Sequence, residues 1–199
     1  MQYHQPLHLP LTWRPADTGA LLFFTLAGFL SRLPFLSPLI DSHDAANYAF
    51  ALTSYDVGLH QPQPPGYPLY ILLGKVALLL TGGDARLALV GLSAAMSGLA
   101  AGATYLLGRA LGGRAAGLFA ALLLSTSPYV WAQGTAPLPY AADLFFSLLA
   151  GWACHRAALA HRDDVKAALL AGAALGVAAL LRQQNAAILG ALLLHALWG

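Results

Sequence analysis

Residues 69–82 read LYILLGKVALLLTG, and how they sit decides the topology of the chain. The run is apolar but short, and Lys75 interrupts it. Roughly a dozen residues at 1.5 Å each make a helix of roughly 20 Å, short of the ~30 Å hydrocarbon core of a bilayer. The segment is therefore read as a helix lying on a membrane surface or dipping into it, not as a span. That a membrane is involved follows from composition. The 199 residues are 58% hydrophobic and only 9% charged, where a soluble domain carries about 25% charged residues. On either side of the short run lie longer apolar stretches, at 19–37, 86–107, 115–131, 138–155 and 166–181, with a sixth at 186–198. The expected fold is an all-α, polytopic membrane helix bundle. It has a tail over 1–18, a first membrane helix over 19–37, an external loop over 38–85 with surface-lying helices, and five further membrane helices over 86–199.

Charge placement fixes the orientation. If 69–82 stays out of the bilayer, Arg14, Arg109, Arg114, Arg156, Arg162 and Lys166 fall on the side of the N-terminus, and Arg32, Lys75, Arg86 and Arg182 at the opposite face. If it spans, most of the first group moves outside. Cytoplasmic loops are enriched in Lys and Arg, so the N-terminus is expected in the cytoplasm and the chain in the cell (inner) membrane. Arg32 within the first run, and the lack of a small-x-small site closing it, argue against a cleaved leader. A net charge of +2 gives no reason to expect a nucleic-acid partner. The single cysteine, Cys154, excludes an intramolecular disulfide. The Gly and Ala of LSAAMSGLAAGATYLLG (92–108) suit close helix contact in lipid.

Under this topology the polar residues gather on one side. The first external loop carries Asp41, His43, Asp44, Asn47, Tyr48, Tyr55, Asp56 and His60. SPYVWAQGTAPLPYAAD (127–143) brings Tyr129, Gln133, Tyr140 and Asp143, and RQQN (182–185) ends the set. Polar groups beside a membrane are costly unless paired or wetted, which makes them functional candidates. Asp44 and Tyr48 are four apart and share a helix face. In QPQPPGYPLY (61–70) the prolines stiffen the backbone and Gly66 permits a tight turn. Arg182 stands between two apolar runs with almost no loop, where a phosphate or carboxylate is its natural partner. Asp143 either caps a helix or faces a cavity, and the sequence leaves both open. Asp41, His43 and Asp44 could hold a divalent metal, but three ligands within four residues is a weak pattern, and no metal or other cofactor is assigned. Neither a phosphate-cradling glycine loop nor a nucleophile elbow is present.

An acid, three further residues and then a Tyr after the first helix, then PPGYPLY, then GDARLALVGLSAAMSGLAAGATYLLGRALGGRAAGLFAALLLSTSP (83–128), form a recognisable order. It resembles the GT-C superfamily of polyprenyl-phosphate-sugar-dependent glycosyltransferases, whose relatives include protein O-mannosyltransferases and the aminoarabinose transferases of lipid A. The resemblance covers roughly residues 20–199. It implies transfer of a sugar from a polyprenyl-phosphate donor to a glycan, lipid or protein acceptor on the external face of the bilayer. It casts Asp44 as the catalytic base, with Asp41 the alternative. Arg182 and Lys75 fall to the donor phosphate, and Tyr48, His60, Tyr67, Tyr140 and Asp143 to the substrates. The chemistry is coherent. An acceptor hydroxyl needs a base, and a phosphate leaving group needs positive charge rather than an acid. Direct attack inverts the anomeric centre. The chain departs from many relatives in having Ala45 where they carry Glu, and Gln61 and Gln63 where the aminoarabinose branch carries Lys. Those relatives are longer, so this sequence is expected to be an N-terminal portion. The alternatives are a noncatalytic membrane subunit or fragment, and a lipid or solute transporter. A transporter would place its charges midway along broken helices rather than at helix ends.

Overall fold

A computed structural model describes residues 12–160 and 164–198. Most of the tail, together with His161, Arg162 and Asp163 of the turn after 155, lies outside the described residues. The described chain is all-α: α1 (Pro15–Leu30), α2 (His43–Ala51), α3 (Pro68–Leu80), α4 (Ala85–Thr126), α5 (Pro128–Gln133), α6 (Tyr140–Leu159), α7 (Val165–Leu181) and α8 (Gln184–Trp198).

The continuous span of α4 conceals a reversal. Gly112 and Gly113 leave helical geometry, and Gly113 sits at φ 80°, where a side chain would be strained. The halves then fold back on one another. A Cβ on Gly108 would lie 3.0 Å from the Cα of Gly117, although nine residues along one straight helix span roughly 13 Å. Ala101 and Ala121 share a buried cluster with Phe24 and Tyr105. The segments expected at 86–107 and 115–131 are thus two arms of a hairpin, and GRALGGRAAG is its turn. The second arm stops at Thr126, before the end of the apolar run. Pro128 cannot continue the helix and instead starts α5 at its first position.

By length and apolarity two helical stretches among the described residues qualify to cross a membrane, Pro15–Phe35 and Ala85–Thr126; Pro68–Leu80, Val165–Leu181 and Gln184–Leu194 are shorter apolar helices. The first helix begins at Pro15 rather than Gly19, because Asp17 folds back to accept the backbone N–H of Arg14 at 2.8 Å. Residues 69–82 form α3, 13 residues long, packed on α4 through Tyr70, Ile71 and Gly74. Leu22, Phe23, Leu26 and Leu30 of α1 and Phe119, Leu122 and Leu123 of α4 face outward, as lipid-facing side chains do.

Two polar ends close the bundle. At one, Asp17 takes a hydrogen bond from Tyr105 (2.6 Å) and an ion pair from Arg109 (3.0 Å), and Arg109 also donates to the Thr12 carbonyl. His155 reaches the Ala110 carbonyl there at 3.3 Å. At the other, the Ser37 N–H donates to Thr135 O (2.9 Å), Arg86 donates to Ser37 O (2.9 Å), and the Ser93 hydroxyl donates to Leu138 O (3.1 Å). The candidate site is built at this second end.

Candidate active site

The first element of the site is α2. Ser42 caps it by accepting the Ala45 N–H at 3.2 Å, so the helix starts where the two acids stand. Ala45, Tyr48 and Ala51 recur at helical spacing and are buried, while Asp41 and Asp44 remain exposed. His43 is engaged with Asn47 at 3.1 Å. Among the described residues no three His, Cys, Asp or Glu side chains converge as metal ligands.

Tyr48 lies under Asp44 and carries an aromatic group. Its ring meets Tyr67 edge-on at 5.3 Å and Tyr70 at 5.2 Å, and its hydroxyl accepts from Gln63 Nε2 at 3.1 Å. Burial pushes the Tyr48 hydroxyl well above its ordinary range, with the neighbouring Tyr67 and, last, the Asp44 charge acting in the same direction. The phenol therefore stays protonated and can only accept or donate a hydrogen bond. The PPGYP turn delivers its partners. Gly66 (φ 97°) turns the chain where any side chain would strike Tyr55 and Val57, and Tyr67 (φ 45°) sits immediately before Pro68, the first residue of α3.

The second element is the break between α7 and α8. Arg182 leaves helical geometry there (φ −144°), and its Nη1 stands 3.6 Å from Asp143 Oδ2. The guanidinium lies over the Tyr140 ring, 5.5 Å from its centre. Asp143 Oδ1 accepts from Asn185 Nδ2 at 2.7 Å, and Asn185 also donates to the Ala178 carbonyl. The side chain of Asp143 thus turns toward the helix break rather than capping α6, whose N-cap, Pro139, has no side-chain cap. Arg182, Tyr140 and Asp143, with Ser97, Tyr129 and Gln133, line a cavity of about 300 Å³ between α4, α5 and α6.

One apolar cluster joins the two elements. It holds Tyr48 and Tyr70 together with Leu92, Met96, Ala141, Ala142 and Leu181, and Ala142 and Leu181 directly precede Asp143 and Arg182 in sequence. The structure therefore unites Tyr48 with Tyr67, and Arg182 with Tyr140 and Asp143, at one end of the bundle. Asp41, Asp44, His60 and Lys75 stand apart. They are exposed, and among the described residues they pair with none of the others. His60 occupies the left-handed corner (φ 58°) of a turn closed by paired backbone bonds between Asp56 and Gln61. Ser97 escaped the sequence reading, hidden among small packing residues, and Gln63 entered it only as a departure from the aminoarabinose branch, not as a partner of Tyr48.

The chemistry available is that of an exposed carboxylate on one side and a cation facing a cavity on the other. The family described as dolichyl-phosphate-mannose-protein mannosyltransferase matches residues 62–199, well over half of the chain. The match takes in Tyr67, Lys75, Tyr140, Asp143 and Arg182, and begins after Asp41, Asp44, Tyr48 and His60. Neither a curated protein nor a solved structure matches the chain.

Proposed function

The chain belongs to the dolichyl-phosphate-mannose-protein mannosyltransferase family, and from that premise we propose that it moves a sugar from a polyprenyl-phosphate donor to an acceptor hydroxyl with inversion. The acceptor is a hydroxyl of a glycan, lipid or protein. What supports this reading is that Asp44 stands one helical turn before Tyr48, and Arg182 directly after Leu181, and that Tyr48 and Leu181 belong to one apolar cluster. In the proposed step Asp44 takes the acceptor's hydroxyl proton as the acceptor oxygen bonds to the anomeric carbon. The bond from that carbon to the phosphate oxygen breaks, and its electron pair leaves on the carrier phosphate. Arg182 stabilises the phosphate as it departs. Its ion pair with Asp143 and its stacking on Tyr140 hold the guanidinium in place, at a side-chain exposure of 29% that leaves it open to a ligand.

Orientation follows from charge. Arg14, Arg109, Arg114, Arg156 and Lys166 lie toward the opposite end of the bundle, which we assign to the cytoplasm of a cell membrane. The site then opens externally. The test is sugar transfer by membranes containing the full chain, supplied with polyprenyl-phosphate mannose. Asp44→Asn is expected to lower the rate by roughly 10²–10⁴-fold, the usual contribution of a general base. Asp41→Asn is expected to change it little. A normal rate in Asp44→Asn removes Asp44 as the base.

A further inference from the structure

Helices α6 and α7 carry a second cavity at the end away from Arg182. Lys166 and Arg182 stand at the two ends of α7, roughly 24 Å apart along a helix. The cavity at the Lys166 end has a volume of about 290 Å³ and is lined by Trp152, Arg156, Asp164, Lys166 and Leu170 with alanines between them. That is close to the lower end of the ~300–1,000 Å³ range of small-molecule sites.

Its charge is unbalanced. Arg156 comes from the last turn of α6 and Lys166 from the first turn of α7, and both side chains are exposed. Among the described lining residues the one acid is Asp164, and its Oδ1 is engaged as the cap of α7, accepting the Ala167 N–H at 3.1 Å. No acidic side chain among the described residues lies within ion-pair distance of either cation. Lys166 gains nothing from its own helix, because the dipole is positive at a first turn. Two like charges that face one cavity without a counter-ion favour an anion between them.

The order of side chains along the two helices suits a lipid better than a free ion. Trp152 precedes Arg156 by four residues on α6, and Leu170 follows Lys166 by four on α7, so each cation shares a helix face with an apolar side chain. The Arg156 guanidinium lies over the Trp152 ring, 6.0 Å from its centre. Both apolar partners are one turn nearer the middle of their helices and therefore deeper in the bilayer. Leu169 and Leu170 face outward, as lipid-facing side chains do. A phosphate held by the two cations has an apolar path beneath it for acyl chains. Basic residues and Trp at that level match the headgroup region of a membrane.

We propose that Arg156 and Lys166 form a binding site for the phosphate of an anionic phospholipid, whose acyl chains lie along Trp152 and Leu170. The site is at the opposite end of the bundle from Arg182 and does not depend on the sugar-transfer reading. The full chain in neutral maltoside micelles is titrated with phosphatidylglycerol and unfolded thermally. Two probes separate the parts of the ligand. Phosphatidylcholine with the same acyl chains has the phosphate without the net charge, and glycerol 1-phosphate has the headgroup charge without the chains.

Phosphatidylglycerol is expected to stabilise the wild type, shifting the folding equilibrium about 100-fold at 100 times its Kd, and the other two probes to leave it nearly unmoved. Arg156→Gln and Lys166→Gln should each weaken the apparent affinity about fivefold, and together about thirtyfold, the worth of basic residues at an anionic lipid surface. Both side chains are exposed, so neither change opens the core. Arg114→Gln, exposed at the same end but not lining this cavity, should keep the full response. The proposal is overturned if phosphatidylglycerol does not stabilise the wild type, or if phosphatidylcholine or glycerol 1-phosphate does so equally. A response undiminished in the double variant, or reduced as much in Arg114→Gln as in the cavity variants, overturns it as well.

Discussion

Two glycines on one helix arm make a controlled test of how the bundle holds together. Gly91 and Gly98 both lie in the first arm of α4. A Cβ on Gly91 meets nothing within 4 Å, whereas one on Gly98 would press on the carbonyl oxygen of Thr25 and come within 2.8 Å of the Phe29 nitrogen. These are backbone atoms of α1 and cannot swing aside, so the two helices must separate. A gap of 0.5–1 Å forfeits roughly a quarter to a half of each dispersion contact along the crossing, and overpacking of this kind costs about 1–3 kcal/mol. At Gly91 the same substitution removes only the helix penalty of glycine, a gain of about 0.5–1 kcal/mol. The same gain applies at Gly98 and cancels, so Gly98→Ala should be less stable than Gly91→Ala by about 1–3 kcal/mol in reversible unfolding in detergent micelles. Equal stability of the two variants would refute a backbone-to-backbone contact between α1 and α4. The displacement also reaches Arg32, because the Gly28 carbonyl that accepts its hydrogen bond belongs to the same crossing: a Cβ on Gly28 would lie 2.9 Å from the Gly98 Cα.

Other outcomes follow from single contacts. Asp17→Asn leaves Arg109 buried beside a neutral amide and is expected to lower the thermal midpoint; adding Arg109→Gln should recover part of the loss, since it removes the uncompensated charge. Tyr48 has a phenol raised above its ordinary value near 10 in the folded protein. Its contribution to stability is whole below pH 10 and declines as pH rises beyond it, when the unfolded chain releases the proton first; a pH series of unfolding midpoints should show a shallower alkaline decline in Tyr48→Phe. Arg182→Gln removes the charge facing the cavity and is expected to reduce kcat roughly 10²–10³-fold, the cost of one transition-state stabilising group. Steady-state kinetics that show only a raised KM would assign Arg182 to donor binding alone.

The sequence disclosed the parts of the structure that repeat or concentrate a signal. Apolar runs marked the helices, and GRALGG marked the hairpin turn because two adjacent glycines follow a long apolar arm and stand between Arg109 and Arg114. Arg182 was conspicuous as a lone cation between two apolar runs. Its partner was not, because Asp143 is 39 residues away and only the packing of α6 on α7 and α8 brings the two together. The same distance hid the contact of Asp17 with Arg109, which are 92 residues apart. The end of α4 at Thr126 was invisible to hydropathy, since the apolar pattern runs on through Pro128. Ser97 looked like one more small packing residue, because a hydroxyl in a small-residue stripe carries no periodic signature of its own.

The proposed transfer requires that Asp44 and Arg182 face one aqueous compartment. Single cysteines placed at residues 44 and 182, in a Cys154→Ala background, can be challenged with a membrane-impermeant thiol reagent applied to intact cells and then to inverted vesicles. Both positions should label from outside intact cells, and neither should do so only in inverted vesicles. Labelling of one from each side would separate the carboxylate from the guanidinium by a bilayer and contradict the proposed transfer.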